Sequence, residues 1–260
     1  MSIFLRQPAL LPVTSLFYAP FPICPRFRPG HCDIVTPSFG KVVTMLPHRS
    51  FPWQELKYLW WFPVYLATYG CCERLVVSEY RATQTAADAL IPFCEWFVIP
   101  YCLWYPLLIA VGIWLLVRDR RNFRRYMNHL AVVFLASAVF WLLVPNGQDL
   151  RPAFLLRDNP LSRMVEFLYS IDTNTNVLPS IHVAGSLCAS RGVQQSPSLS
   201  RHRLTRFSVH MLVGLICLST LFIKQHALPD VIAGLALAAF SALLIYGLPH
   251  KKFRPPAESD

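Results

Sequence analysis

The feature that most constrains this chain is a series of apolar stretches that are long enough, or nearly long enough, to cross a lipid bilayer. A spanning helix needs about 20 mostly apolar residues, because the hydrocarbon core is roughly 30 Å thick. The stretches run roughly over Leu56–Cys72, Leu90–Val117, Leu130–Pro145, Phe207–Ile223 and Leu228–Leu248. Only 15% of the residues are charged, against about a quarter in a typical soluble domain. The sequence therefore predicts an all-α, polytopic membrane protein.

Basic residues are distributed unevenly between the segments that connect these stretches. The segments rich in Arg or Lys are residues 1–50, 118–125, 191–206 and 251–260. By contrast, residues 73–90 and 146–176 carry charges of both signs. Because the cytoplasmic loops of membrane proteins are enriched in Lys and Arg, we expect the basic segments in the cytoplasm and the mixed segments outside.

Alternation between the two sides of the membrane then requires a further span before residue 191. The candidate is Val177–Arg191, although its apolar core IHVAGSLCAS is short and meets Arg191, Gln194 and Gln195. We therefore predict about six transmembrane helices with both termini in the cytoplasm. This topology also places three polar segments, NGQDLRP, NVLPSIH and KQHALPD, together at the extracytoplasmic face.

The domain organisation follows from the same pattern. Residues 1–50 are rich in Pro and lack a sustained apolar run, which predicts an irregular extension, and Met45 is an alternative start that would leave residues 1–44 untranslated. Residues 51–250 form the predicted membrane domain, and residues 251–260 a basic cytoplasmic tail. The net charge of +10 is explained by this topology, so membrane lipids are the expected partners and nucleic acid is not. The eight cysteines include no CxxC pair, and the oligomeric state stays open.

His226 and Asp230 stand four residues apart at the junction of the last two stretches. A carboxylate can hold one nitrogen of an imidazole and make the other a better nucleophile. Pro229 suits the first turn of a helix, where the helix dipole would also favour Asp230. The spacing leaves an alternative open, in which Asp230 only caps the helix and His226 is only a polar group at the interface.

His182 follows Pro179 and Ser180 at the start of the weak span. An ionisable residue in an apolar setting is costly and is a functional candidate, although a structurally satisfied histidine is the alternative. Two histidines and a carboxylate are also a familiar metal-ligand set. The sequence has no HExxH or Cys/His spacing to accompany them, so we predict neither a metal nor another cofactor. Most of the polar residues 172–176 are interpreted as loop or cap residues.

Two cations near these segments are candidates for binding a phosphate group. Arg151 lies just beyond the third stretch, and its guanidinium fork offers paired donors to phosphate. Lys224 lies two residues before His226 and would contact phosphate as a point charge. For both, the alternative is a cation that simply marks the edge of the membrane.

These residues resemble the three signature motifs of the type 2 phosphatidic acid phosphatase superfamily. The family pattern is roughly Lys-x6-Arg-Pro, then Pro-Ser-x-His, then Ser-Arg-x5-His-x3-Asp. The resemblance spans roughly residues 54–248 and implies a six-helix membrane architecture. The matching positions are Arg151 and Pro152, then Pro179, Ser180 and His182, then Ser219, His226 and Asp230.

Two positions depart from the family pattern. Val144 stands where the family has Lys, and Thr220 stands where it has Arg; both family residues bind phosphate. These departures look more like the branch that includes inositol phosphorylceramide synthases. Lys224 would lie one helical turn beyond Thr220 and about 40° round the helix from it, so we predict that Lys224 replaces the missing charge.

The resemblance implies a role for each matching residue. His226 would attack phosphorus and form a phosphohistidine, Asp230 would orient its imidazole, and His182 would protonate the leaving alcohol. The residues that would hold the phosphate oxygens are Arg151, Ser180, Ser219 and Lys224. The implied function is a metal-independent phosphatase of lipid phosphate monoesters or diphosphates, with an extracytoplasmic site. A phospho-headgroup transferase and a non-catalytic membrane protein of the same fold stay open as alternatives.

Overall fold

The computed structural model describes residues 52–75, 79–155 and 157–247 of the chain. Short 3-10 helices occur at Trp53–Leu59, Ala86–Leu90 and Glu95–Phe97, and two-residue strands β1 (Arg81–Ala82) and β2 (Asn146–Gly147) pair in parallel. The α-helices in chain order are α1 (Trp61–Leu75), α2 (Val98–Cys102), α3 (Trp104–Arg118), α4 (Arg120–Leu143), α5 (Pro160–Ile171), α6 (Ile181–Gln195), α7 (Pro197–Ser200), α8 (Arg203–Phe222) and α9 (Leu228–Tyr246). The predicted all-α fold is confirmed. The predicted extension over residues 1–50 and the predicted tail over 251–260 lie outside the described residues.

Four helical segments of the described residues are long and apolar enough to cross a membrane. They are Glu95–Arg118, Arg120–Leu143, Arg203–Phe222 and Leu228–Tyr246. The predicted polytopic membrane architecture is confirmed by these segments. Helices α1 and α6 have 15 residues each, which is about 22 Å of helix at 1.5 Å per residue. The count of six spans stays a prediction.

Two of the basic segments, residues 118–125 and 191–206, meet at one end of the helix bundle, which we call the basic end. Asn122, at the start of α4, donates its side-chain N–H to the carbonyl oxygen of Gln195 at the end of α6, at 2.9 Å. Arg124 Nη2 lies 2.6 Å from Oε1 of Glu55, which precedes α1. The α3–α4 connection, the end of α6 and the region before α1 therefore lie together.

Helix α4 begins ten residues before the apolar stretch that the sequence predicts for it. The carboxylate of Asp119 accepts a hydrogen bond from the backbone N–H of Asn122 at 3.2 Å and so caps the helix at its start. The arginines of this connection are consequently part of the first turns of α4. Their long apolar stems can lie along the helix while the guanidinium groups reach solvent.

Helix α6, which corresponds to the weak predicted span, packs against α3, α4, α8 and α9 at the centre of the bundle. It begins at Ile181, after the cap residue Ser180, and ten of its 15 residues are buried. Its small residues allow close contact with the neighbouring helices. An added Cβ on Gly185 would lie 3.2 Å from the ring of Trp104. The low hydrophobicity of α6 therefore reflects packing against protein and not exposure to lipid.

The connection between α4 and α6 contains α5, a helix that the sequence pattern does not predict. Asn159 caps it by accepting a hydrogen bond from the backbone N–H of Ser162 at 2.9 Å. Val165 on one face is buried, whereas Phe167 on the other face is exposed. A short amphipathic helix of this kind is typical of a membrane interface.

Candidate active site

The three polar segments meet at the end of the bundle opposite the basic end. The side-chain amide of Gln148 donates to the carbonyl oxygen of Lys224 at 2.9 Å. The backbone N–H of Ser180 donates to the carbonyl oxygen of Asp230 at 3.0 Å. Segments that are far apart in the sequence thus contact one another directly. We call this the histidine end, because it carries His182 and His226.

A glycine allows α9 to approach α6 at this end. A Cβ added to Gly234 would lie 2.7 Å from the carbonyl oxygen of Ser180 and 3.2 Å from Cβ of Val183. The contact of 2.7 Å with a backbone oxygen is shorter than a real side chain permits, so only glycine fits without a shift of the helices. The close approach brings the start of α9, with Asp230, against the start of α6, with His182.

His226 and Asp230 face each other across the first turn of α9. His226 Nδ1 lies 3.6 Å from Oδ2 of Asp230, which is an ion-pair distance when the imidazole is protonated. The same Oδ2 accepts a hydrogen bond from the backbone N–H of Ala227 at 2.7 Å. Asp230 therefore caps α9 and faces the histidine at the same time. Because Nδ1 points towards the carboxylate, Nε2 is the nitrogen of His226 that is left for chemistry.

His182 is held between two aromatic side chains. Its ring centre lies 4.3 Å from that of Tyr101 and 4.4 Å from that of Trp104. Nδ1 is 3.4 Å from the hydroxyl of Tyr101, and Nε2 has no hydrogen-bond partner among the described residues. The ring centres of His182 and His226 are 5.8 Å apart. Two buried imidazoles thus stand close enough to contact one phosphoryl group.

Both histidines line one end of a cavity of about 860 Å³. Asp172 and Gln225 also line this end, whereas apolar side chains from α1, α3, α4 and α5 line the rest. Its wall extends as far as Leu116, at the end of α3 that leads to the basic end. The volume lies within the range of about 300–1,000 Å³ that is common for ligand pockets. The cavity can therefore hold a long apolar chain whose polar group lies at the histidines.

Asp172 is an acceptor for three side chains beside the cavity. Tyr69 donates its hydroxyl to Oδ1 at 3.2 Å, while Tyr101 and Gln225 both donate to Oδ2 at 3.0 Å. The sequence predicts Asp172 to be a loop or cap residue. It does not predict that Tyr101, Trp104 or Gln225 belongs to the site. No spacing rule links these residues, since they lie on separate elements.

Arg151 is anchored by backbone carbonyl groups. Its Nη2 donates to the carbonyl oxygens of Asp172 and Thr173, both at 2.7 Å, and to the side-chain oxygen of Gln225. The guanidinium lies 4.4 Å from the centre of the Tyr169 ring. Burial lowers the pKa of Arg151, but an arginine stays charged at neutral pH. Arg151 contacts Gln225, the neighbour of His226 in the chain, and does not itself line the cavity.

The structure does not bring Lys224 to the cavity, and the geometric premise of its predicted role is wrong. Helix α8 ends at Phe222, and Lys224 has a φ of 55°, so the helical spacing from Thr220 does not continue to it. Its ammonium donates to the carbonyl oxygens of Asp88 and Ile91, at 2.9 Å and 2.5 Å. Burial lowers the pKa of Lys224, and the carboxylate of Asp88 raises it in part. The ammonium of Lys224 thus binds backbone carbonyl groups of the loop at residues 88–91.

Two further predicted phosphate ligands, Ser180 and Ser219, are fully buried. The hydroxyl of Ser180 accepts a hydrogen bond from the backbone N–H of Val183 at 3.4 Å and caps α6. The hydroxyl of Ser219 donates to the carbonyl oxygen of Ile216 at 2.6 Å. Neither residue lines the cavity. Ser180 lies next to the site through its backbone, whereas Ser219 lies within α8.

The alternative interpretation of His182, His226 and Asp230 is a set of metal ligands. Within the part of the chain that the structure describes, no group of three or more His, Cys, Asp or Glu residues is placed to hold a metal ion. That the protein works without a metal or another cofactor stays a prediction of the sequence.

The fold and the site define a class of protein: an all-α, polytopic integral membrane protein with two facing histidines at one end of its bundle. A family model described as the PAP2 superfamily matches residues 75–244, which is more than half of the chain. The chain therefore belongs to the PAP2 superfamily, and the resemblance to type 2 phosphatidic acid phosphatases is confirmed. Members of this superfamily are generally phosphatases. No curated protein and no solved structure matches the chain.

Proposed function

We propose that this protein is a phosphatase that hydrolyses a lipid phosphate monoester or diphosphate through a phosphohistidine intermediate. The observation that carries the proposal is the pair of facing imidazoles at the polar end of a cavity of about 860 Å³. The imidazole of His226 faces the carboxylate of Asp230, which orients the ring for nucleophilic attack. The other has an unpartnered Nε2 among the described residues, which suits proton transfer to a substrate.

The two histidines have different chemical roles in this mechanism. Nε2 of His226 attacks phosphorus and forms the N–P bond while the bond from phosphorus to the lipid oxygen breaks. His182 gives its Nε2 proton to that leaving oxygen, so the lipid departs as an alcohol from a monoester and as a lipid phosphate from a diphosphate. Water then attacks the phosphohistidine and loses a proton to His182, which releases phosphate and restores both histidines. Asp230 orients His226 and stabilises its positive charge in the intermediate.

The apolar wall of the cavity supports a lipid as the substrate. Side chains of α1, α3, α4 and α5 would contact the hydrocarbon chain, which can enter sideways from the bilayer. Phosphatidic acid, phosphatidylglycerol phosphate and prenyl diphosphates all fit this description. Each combines a long apolar chain with a terminal phosphate.

Negative charge on the substrate is favoured by two helix N-termini and by Arg151. Helices α6 and α9 both begin at the histidine end, at Ile181 and Leu228, and a helix N-terminus favours an anion. Arg151 is linked to the cavity wall through Gln225 and could turn its fork towards phosphate. Ser180 connects these two helix starts, because its backbone N–H donates to the carbonyl oxygen of Asp230 at 3.0 Å.

A phospho-headgroup transferase is the second candidate. It is favoured by Val144 and Thr220, which stand where the family has phosphate-binding Lys and Arg. The hydroxyl of Thr220 donates to the carbonyl oxygen of Cys217 at 2.8 Å and offers no charge in place of the arginine. In a transferase, the intermediate on His226 would carry a phospho-headgroup, and an alcohol would attack it instead of water.

Phosphate release from a panel of lipid phosphates, measured with protein purified in detergent, tests the proposal. We expect His226→Ala to lower kcat by about 10³-fold or more, because the nucleophile is lost. We expect His182→Ala to lower it by about 10²–10⁴-fold, because general acid catalysis is lost. The matched control is His210→Ala, since His210 lies on α8 beside Ser190 and outside the cavity.

The outcomes separate the candidates. Equal activity of the wild type, His226→Ala and His182→Ala would contradict the histidine mechanism. Transfer of a phospho-headgroup from an added phosphodiester lipid to an alcohol such as diacylglycerol, in place of phosphate release, would favour the transferase. A folded wild type that releases no phosphate and transfers none would leave a non-catalytic member of the superfamily.

A further inference from the structure

Tyr101, at the end of α2, contacts the proposed general acid. Its hydroxyl lies 3.0 Å from Oδ2 of Asp172 and 3.4 Å from Nδ1 of His182. The two rings are stacked, with an angle of 29° between their planes. Tyr101 is 1% exposed, so water does not compete for its hydroxyl. Tyr101 therefore links a carboxylate to the imidazole.

The direction of these hydrogen bonds fixes which nitrogen of His182 carries a proton. A phenol has one O–H to donate, and a carboxylate only accepts. Because Tyr101 donates its proton to Asp172, its oxygen is left to accept a proton from Nδ1 of His182. Nδ1 is then the N–H nitrogen, and Nε2, which has no hydrogen-bond partner among the described residues, is the nitrogen left to exchange a proton with substrate.

We propose that Tyr101 and Asp172 are positioning residues for the proton-transfer step. The proposal rests on the function proposed above. The chain from Asp172 through Tyr101 to His182 holds the imidazole in one tautomer and stabilises it while it carries a second proton on Nε2. When the bond from phosphorus to the lipid oxygen breaks, that second proton moves from Nε2 to the leaving oxygen. His182 is then neutral, with its Nδ1 proton still bound to Tyr101.

Asp172 is itself held in place, which makes it suited to this task. Tyr69 donates to Oδ1, Gln225 donates to Oδ2 beside Tyr101, and Arg151 donates to the backbone carbonyl. Partners on both oxygens prevent the carboxylate from turning away from Tyr101. In metal sites, removing the outer hydrogen-bond partner of a histidine typically changes activity by about 10–100-fold, and we expect an effect of similar size here.

A comparison of leaving groups tests the proposal. An alkyl phosphate, such as a lipid phosphate, needs its leaving oxygen protonated, whereas p-nitrophenyl phosphate leaves as a stable anion and needs little help. We expect Tyr101→Phe to lower kcat about 10–100-fold on the lipid phosphate and much less on p-nitrophenyl phosphate. We expect Asp172→Asn to show the same selective loss, so it serves as a second variant should Tyr101→Phe fold poorly.

A tyrosine away from the cavity provides the control. Tyr126→Phe removes a buried hydroxyl that donates to the carbonyl oxygen of Leu108 at 3.1 Å, and Tyr126 does not line the cavity. It reports the effect of losing a buried tyrosine hydroxyl alone.

Equal losses on both substrates for Tyr101→Phe and Asp172→Asn would overturn the inference, as would no loss at all. Such a result, obtained while His226→Ala is inactive and His182→Ala is impaired, would leave the proposed function intact. A wild type that is inactive on both substrates would overturn the proposed function and this inference with it.

Discussion

The ammonium of Lys224 connects two loops at the histidine end. It donates to the carbonyl oxygens of Asp88 and Ile91, and the carboxylate of Asp88 accepts a hydrogen bond from the backbone N–H of Leu228 at 2.7 Å. These contacts fix residues 85–91 against the turn that carries His226. At the scale of one residue, a buried charge therefore supports the site without contacting the cavity.

We expect Lys224→Met to lower the thermal stability of the protein. The variant keeps the apolar stem but leaves two carbonyl groups without their donor, at a cost of about 1–3 kcal/mol. The measurement is the midpoint of thermal aggregation in detergent, followed by size-exclusion chromatography. The control is Lys57→Met, because Lys57 is exposed and such surface changes stay within about 0.5 kcal/mol. A raised KM for the lipid phosphate with unchanged stability would instead make Lys224 a phosphate ligand.

At the scale of secondary-structure elements, the packing of α9 on α6 determines the geometry of the site. Helix α6 carries His182 near its start, and α9 carries Asp230 near its start. The close contact of Gly234 with the carbonyl oxygen of Ser180 sets the separation of the two helices. Any increase in this separation moves the two proposed catalytic histidines relative to each other.

Gly234→Ala is expected to lower both stability and activity. The added methyl group meets backbone, which cannot move aside alone, and overpacking of this kind costs about 1–3 kcal/mol. Phosphate release and the thermal midpoint are measured on the same preparation. The matched control is Gly214→Ala on α8, where an added Cβ meets nothing within 4 Å. That change should be neutral or stabilising, since alanine favours a helix by about 1 kcal/mol over glycine. Indistinguishable behaviour of the two variants would contradict this account of the contact.

At the scale of the whole molecule, charge divides the bundle into two ends. The long helical segments run between the basic end and the histidine end. They are α1, the pair α2 and α3, and then α4, α6, α8 and α9. The arginines of residues 118–125 lie at the basic end, in the α3–α4 connection. Because the cytoplasmic side of membrane proteins attracts such residues, we propose that the histidine end faces the opposite side of the membrane.

Reporter fusions and labelling test this orientation. We expect a fluorescent protein fused after Leu248 to be cytoplasmic. We also expect a cysteine introduced at the exposed Asp158 to react with a membrane-impermeant maleimide in intact cells. The parent chain, with its own cysteines, gives the background of the labelling reaction. A C-terminal reporter found outside the cell would show that the charge-based topology is wrong.

The membrane class, the helical fold and the residues that match the family motifs can all be predicted from the sequence. These features are local, because the length of an apolar stretch and the spacing of His226 and Asp230 can be read without knowing any distant contact. The sequence also indicated α6 through the alternation of loop charge, although the composition of α6 is poor for a lipid-exposed span. The convergence of the three polar segments followed from the same alternation.

The tertiary structure alone decided the features that depend on contacts between distant elements. Helix α6 tolerates small and polar residues because four neighbouring helices surround it. Lys224 does not line the cavity, because α8 ends before it and its backbone has a left-handed conformation. Tyr101 lies on α2, Asp172 lies at the end of α5 and His182 lies on α6. Tyr101 contacts both of the other residues and so links the three helices. Hydrogen bonds between such residues depend on packing across the bundle, which leaves no periodic signal in the sequence.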